Sequence, residues 1–268
     1  MKKLFYATCL ALSIVSLSSC KFIVKDSSSD ENSNVNPTDD NTTAIISSYT
    51  ETYNIVKNSC FGVRNKLSQS SQSIGSCVCI KSDSEYSYFI TNRHVIEAEN
   101  SSNESTNLYV YFGSSNYYSA TLMFCTTYNQ RQKSSADDLA LLRVATPGES
   151  TGISVKAIEI SDNVITKGTQ VISVGCPLSL SNYNTLTEGV VSKVLSSENL
   201  YMHTATINPG NSGGGLFTLD GKLIGLNVSG NYKLDNESGY YYNTVDDMYN
   251  AISYEHIKDF LNDNDFEL

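Results

Sequence analysis

Asn208-Pro209-Gly210-Asn211-Ser212-Gly213-Gly214-Gly215-Leu216-Phe217 is the stretch from which this chain is best understood. A serine set among glycines and followed by apolar residues suits a nucleophile on a tight turn with a strand leading away. Gly210 has no Cβ, so its N–H can point at a substrate oxygen beside the Ser212 N–H. Two convergent backbone donors next to a hydroxyl are the parts of an oxyanion hole. By itself, a Gly-Ser-Gly run is most often a plain loop.

Two further segments change that weighting. Tyr88-Phe89-Ile90-Thr91-Asn92-Arg93-His94-Val95-Ile96 is an apolar strand running into a polar turn that carries a histidine. Asp137-Asp138-Leu139-Ala140-Leu141-Leu142-Arg143-Val144 opens an apolar strand with aspartate. The order His94, Asp138, Ser212 is that of chymotrypsin-type triads, not of subtilisins or α/β-hydrolases. Asp137 is the rival carboxylate. Asp138 is preferred because it abuts the Leu-Ala-Leu-Leu run directly, as resemblance to the chymotrypsin-type pattern requires, and its neighbour on a strand points to the other side.

These blocks resemble trypsin-like serine proteases, and within them the protease domain of the HtrA/Deg family. Gly75-Ser76 with Thr91-Asn92-Arg93-His94-Val95 resembles the histidine block, and Asp138-Leu139-Ala140-Leu141-Leu142 the aspartate block. Val174-Gly175-Cys176-Pro177-Leu178 and Thr187-Glu188-Gly189-Val190-Val191-Ser192 resemble the segments before the serine. Ile207-Asn208-Pro209-Gly210-Asn211-Ser212-Gly213-Gly214 resembles the serine block, and the strand at 221–227 completes the order. The resemblance covers roughly residues 52–263. It implies an all-β fold of two antiparallel six-stranded barrels with a C-terminal helix, preceded by a disordered tether. The barrels are expected at about 52–148 and 153–252, with the triad in the cleft between them.

In that reading Ser212 is the nucleophile, His94 the general base and acid, and Asp138 the residue that orients the imidazole. Gly210, Asn211 and Ser212 supply the oxyanion hole. Pancreatic-type enzymes carry an aspartate before the serine, which pairs with a new N-terminus after zymogen cleavage. Asn211 cannot form that ion pair, so activation by N-terminal cleavage is not expected. Thr206 stands where trypsins bind basic side chains with aspartate, and Asn227 where glutamate-specific relatives carry histidine. With Gly230, they imply a pocket for a small or apolar P1 residue.

At the N-terminus, residues 1–20 carry Lys2 and Lys3, an apolar run to Leu17, and small residues, which is the pattern of a secretory signal. Leu17-Ser18-Ser19-Cys20 resembles a bacterial lipobox, which implies acylation of Cys20 and a membrane anchor that does not span. Localisation is then the outer face of the bacterial cytoplasmic membrane. Residues 21–48 are rich in Ser, Asp and Asn and read as a disordered tether. Residues 49–268 then form one protease domain, leaving no length for the PDZ domain that HtrA proteins usually carry.

Short apolar runs at 108–112, 119–125, 170–174, 189–195, 201–206 and 223–228 read as strands. Ser253–Leu261 has helical spacing with Ser253 as N-cap. A net charge of −10 argues against nucleic acid as a partner and against a polybasic membrane patch. No His or Cys pair has metal-ligand spacing, and no cofactor is implied. His203 and His256 read as structural. Five cysteines follow the signal, at 60, 77, 79, 125 and 176, so a monomer cannot pair them all. Val95 stands where a familiar protease disulfide has its second cysteine, and the five read as buried small hydrophobes. Tyr240-Tyr241-Tyr242 reads as a packed or surface loop in preference to a lining of the substrate cleft. The expected partners are protein or peptide substrates, and the resemblance implies a trimer as one assembly. The alternative function is a catalytically silent or gated protease fold serving as a surface binding module.

Overall fold

A computed structural model of the chain describes residues 48–98, 104–127, 136–230, 232–234, 241–243 and 248–268. The signal, Cys20, residues 21–47 of the tether, and Tyr240 lie outside the described residues. The first described element is a helix, α1 (Tyr49–Val56), opened by a capping box: Glu51 N–H donates to Ser48 Oγ and Ser48 N–H to Glu51 Oε2. Val56 is buried, and Thr52 Oγ1 donates to the Leu219 carbonyl at 2.6 Å, so α1 is fastened to the C-terminal half.

Six strands follow: β1 (Cys60–Lys66), β2 (Gln72–Ser82), β3 (Tyr86–Thr91), β4 (Leu108–Tyr111), β5 (Tyr117–Cys125) and β6 (Ala140–Ala145). They close into an antiparallel barrel in the order β1-β2-β3-β6-β5-β4. Alternation places Phe61 and Val63 of β1, Leu108 and Val110 of β4, and Phe89 of β3 inside. Phe61 meets Phe89 and Phe112 edge-on at centroid separations of 5.6 and 4.8 Å.

The second barrel is β7 (Gln170–Gly175), β8 (Thr185–Leu195), β9 (Leu200–His203), β10 (Gly215–Thr218), β11 (Leu223–Gly230) and β14 (Tyr249–Ser253), closed in the order β10-β11-β14-β9-β8-β7. Between β11 and β14 a small hairpin pairs β12 (Tyr232–Leu234) with β13 (Tyr241–Asn243). The last element is α2 (Tyr254–Asn262), capped by Ser253, with Tyr254, Ile257, Phe260 and Leu261 on its buried stripe.

One hydrophobic cluster joins the two barrels. Cys60, Val78, Ile90 and Leu141, from the first barrel, pack with Ile172, Phe217, Leu226 and Ile252 of the second and with α2. The loops that end β3, precede β6 and precede β10 are therefore held against a continuous apolar floor. Two strands differ from expectation. β9 ends at His203 rather than at 206: Thr204 exchanges its N–H and hydroxyl with Val190 of β8, both at 3.0 Å, and the Thr206 carbonyl is taken by Thr187 Oγ1 at 2.7 Å. β8 begins at Thr185, its first residues pairing with β7.

Candidate active site

The turn after β3 presents the histidine. Asn92 Nδ2 donates to the Asp138 carbonyl at 2.9 Å, and the Arg93 N–H reaches the same oxygen at 3.2 Å. Arg93 is buried and braces the turn by ion pairs to Glu97 (3.0 Å) and Glu104 (2.7 Å). Asp138 is 3% exposed. Its Oδ1 accepts the His94 backbone N–H at 2.8 Å, and its Oδ2 meets His94 Nδ1 at 2.5 Å. Two contacts from one carboxylate fix both the backbone and the ring of His94, which places the proton on Nδ1 and leaves Nε2 as the acceptor. Asp137 turns the other way: its side chain is 63% exposed and lies 3.4 Å from His256 on α2.

The serine stands on a loop docked against the first barrel. The Ser212 carbonyl accepts from Ser76 N–H at 2.8 Å. Ser76, itself fully buried, donates its hydroxyl to the Gly210 carbonyl at 2.7 Å and accepts from Cys176 N–H at 2.9 Å. Its carbonyl in turn accepts from Thr91 Oγ1 at 2.7 Å. One hydroxyl thus pins two loops of the second barrel to β2. Sequence reading quoted Ser76 without a role, and nothing in its spacing signals that its hydroxyl crosses between barrels.

Gly210 and Gly213 adopt left-handed backbone, φ +100° and +82°. A Cβ on Gly210 would stand 2.4 Å from the Cys176 carbonyl, and one on Gly213 would stand 2.1 Å from that of Ser76. The Pro209 carbonyl accepts from Leu178 N–H at 2.6 Å, which sends the Gly210 N–H to the opposite side of that planar peptide. Neither Gly210 N–H nor Ser212 N–H donates to any group among the described residues. Asn211 does not join them. Its N–H is spent on the Asn208 carbonyl at 2.9 Å, and its side chain is buried. Of the three residues expected to supply an oxyanion hole, only Gly210 and Ser212 keep an unengaged backbone N–H among the described residues. No hydrogen bond joins the Ser212 hydroxyl to His94.

The three residues expected around P1 lie in different surroundings. Thr206 is exposed and Gly230 half-buried at the end of β11. Asn227 is wholly buried and turns its amide inward to Ser173 Oγ at 2.8 Å. His203 is buried as well, and burial pushes its imidazole down to about 4. The Ala205 backbone and the Asn227 side chain oppose that shift, yet neither ring nitrogen has a partner at hydrogen-bond geometry. His256 lies between Asp137 and Asn199, whose amide is 3.2 Å from Nδ1. The five cysteines among the described residues are free thiols; burial raises Cys176 to about 11 and Cys79 to about 12. Among the described residues no cluster of His, Cys, Asp or Glu is arranged to hold a metal.

Sequence comparison agrees with this geometry. The pattern of the trypsin-like peptidase domain family matches residues 75–226, more than half of the chain. The chain belongs to that family. The matched span of this trypsin-like domain includes His94, Asp138 and Ser212. The domain is 32% identical over 165 residues to a serine protease Do-like HtrA of Bacillus subtilis, covering 57% of this chain and 32% of that protein. It is 30% identical over 169 residues to the periplasmic serine endoprotease DegP of Escherichia coli, covering 60% and 31%. The chain thus spans about a third of the length of the curated relatives it matches. The crystal structure of a serine endoprotease from Yersinia pestis superposes with a TM-score of 0.59 at 25% identity, over 81% of this chain and 66% of that one.

Proposed function

We propose that this chain is an exported serine endopeptidase that cleaves protein or peptide substrates through an acyl-enzyme. The observation that carries this reading is a half-built reaction centre. A carboxylate–imidazole pair is already assembled, and two backbone N–H groups beside Ser212 are left without partners. In the proposed mechanism Ser212 Oγ attacks the scissile carbonyl while His94 Nε2 takes its proton. Asp138 holds the ring and stabilises the imidazolium. Gly210 and Ser212 N–H receive the oxyanion, and the proton on His94 then passes to the leaving amine. Water repeats the sequence on the acyl-enzyme.

The reading of the whole chain extends this. Residues 1–20 act as a lipoprotein signal, Cys20 carries the lipid, 21–48 is the tether, and 49–268 is the catalytic domain on the outer face of the bacterial cytoplasmic membrane. One relative is a periplasmic serine endoprotease, which favours export. No charged side chain stands at Thr206 or Asn227, which favours a small or apolar P1 residue. The test of the activity is hydrolysis of an unfolded protein by the full chain beside Ser212→Ala, with fragments mapped by mass. Cleavage by both proteins, or by neither, would overturn the assignment. Metabolic palmitate labelling that survives Cys20→Ala would overturn the anchor.

A further inference from the structure

The nucleophile loop has two flanks. On one, Gly213 N–H donates to the Asn227 carbonyl at 2.9 Å and Asn227 N–H to the Gly214 carbonyl at 2.8 Å, tying the loop to β11. The P1 pocket of the proposed reading lies on that flank. On the other, Ser76 and Leu178 hold the carbonyls of Gly210 and Pro209. A peptide whose scissile carbonyl sits at Ser212 with P1 toward β11 must send its leaving-group segment over the second flank.

That flank contains a pocket of about 350 Å³, lined by Gln72, Ile74, Tyr111, Tyr117, Leu178 and Leu180 among others. We propose that it is a leaving-group subsite that takes an aromatic side chain from the first two residues after the scissile bond. The inference rests on the peptidase reading and extends it to the opposite side of the cleft.

Three observations support that occupant. Leu178 is 64% exposed and holds φ +64°, a left-handed conformation that a bulky residue rarely adopts. It is kept there by the hydrogen bond from its N–H to Pro209, one residue before Gly210, so an apolar side chain is presented to solvent beside the reaction centre. Second, the rings of Tyr111 and Tyr117 lie 4.9 Å apart at 40°, and Tyr117 is 39% exposed. Paired aromatic rings with an open edge accept a further ring in the tilted and edge-on geometries that aromatic pairs prefer. Third, the Arg64 guanidinium stands 5.0 Å from the centre of the Tyr117 ring and has no carboxylate partner among the described residues. This cation–π contact holds the ring in place. Arg64 is the strand partner of Ile74, so the two side chains share one face of the sheet beside the pocket. Ser179, Ser181 and Gln72 form a polar part of the lining, which suits the peptide groups that flank a bound side chain.

The test uses the full chain and quenched fluorogenic peptides that share one acyl side and carry Phe, Tyr, Leu, Glu or Gly at the first or second leaving-side position. Turnover of an activated ester, which has no leaving-side residue, reads Ser212 independently. The expected result is a kcat/KM at least about tenfold higher for Phe or Tyr than for Gly at one position. In Tyr117→Ser and in Leu178→Gly that ratio is expected to fall below about threefold. Leu178→Gly also relieves the left-handed strain, so it guards against a variant that fails to fold. The ratio is internal to each preparation and does not move with the folded fraction. Ester turnover with a flat profile, a preference for Leu or Glu, or an aromatic preference untouched by both variants would overturn the subsite alone. Absence of both ester and peptide turnover would overturn the peptidase reading and the subsite with it.

Discussion

Replacing Ser76 by alanine removes one oxygen and leaves two loops untied. The hydroxyl is fully buried, donates to the Gly210 carbonyl at 2.7 Å and accepts from Cys176 N–H at 2.9 Å. Both partners are buried, and neither has another hydrogen-bond partner among the described residues. Each orphaned group costs about 1–3 kcal/mol, so the variant is expected to lose about 2–6 kcal/mol before water or relaxation recovers part of it. Against a typical domain stability of about 5–15 kcal/mol, it still folds in most of that range. The kinetic effect is separate. Freed from Ser76, the 210–211 peptide is held only by the Asn211 N–H to Asn208, so the loop that links the Gly210 and Ser212 donors can shift, and a misaimed oxyanion donor costs about 10²- to 10³-fold in kcat. Because the donors act on the developing charge and not on bound substrate, KM is expected to change little. The assay is urea unfolding together with ester kinetics on the folded fraction. A folded Ser76→Ala protein with kcat within about threefold of the parent would refute the argument that this hydroxyl holds the loop between the Gly210 and Ser212 donors in place.

Other expectations follow from the same geometry. The buried His203 is lowered from 6.5 to about 4, so the unfolded chain binds its proton first as pH falls. Its contribution, about 3 kcal/mol, is fully present above pH 6.5 and is lost between there and pH 4. His203→Leu should therefore lose less stability than the parent between pH 7 and pH 4.5, read by urea midpoints; equal losses would contradict it. Asp138→Asn keeps the size of the side chain but no longer favours the Nδ1–H tautomer, and should lower kcat about 10⁴-fold while Asp137→Asn stays near the parent. Asn211→Asp would bury a charge where the present amide oxygen already lacks a partner, and should destabilise by several kcal/mol, read by thermal melting. A rise in melting temperature at neutral pH would show an unseen cation at that site.

The family resemblance of the ordered blocks made the two-barrel architecture legible, and each apolar run read between Gly, Asn and Ser punctuation is one strand. The helix at Ser253 was equally readable: its serine cap and the buried positions 257, 260 and 261 follow helical period. The helix α1 was missed, although Ser48-Tyr49-Thr50-Glu51 is a capping-box pattern. It lies at the end of a long polar tract, and it is stabilised by Leu219, far along the chain, which local spacing cannot reveal. The choice of Asp138 over Asp137 rested on its place directly before the Leu-Ala-Leu-Leu run, as the resemblance requires, and the two side chains point apart. Asn211 could not be excluded from the oxyanion set by its position. Only the turn hydrogen bond to Asn208 shows that its N–H is already used. Ser76 and the pocket beside Leu178 depend on contacts between barrels, and such contacts leave no periodic trace in sequence.

The central claim is that Ser212 is an activated nucleophile beside working oxyanion donors. Its most direct test is covalent labelling of the full chain by a fluorophosphonate, read by intact mass and peptide mapping, beside Ser212→Ala. The account predicts one adduct, on Ser212, in the parent and none in the variant. A folded parent that stays unlabelled, or that carries its adduct on another residue, would contradict it.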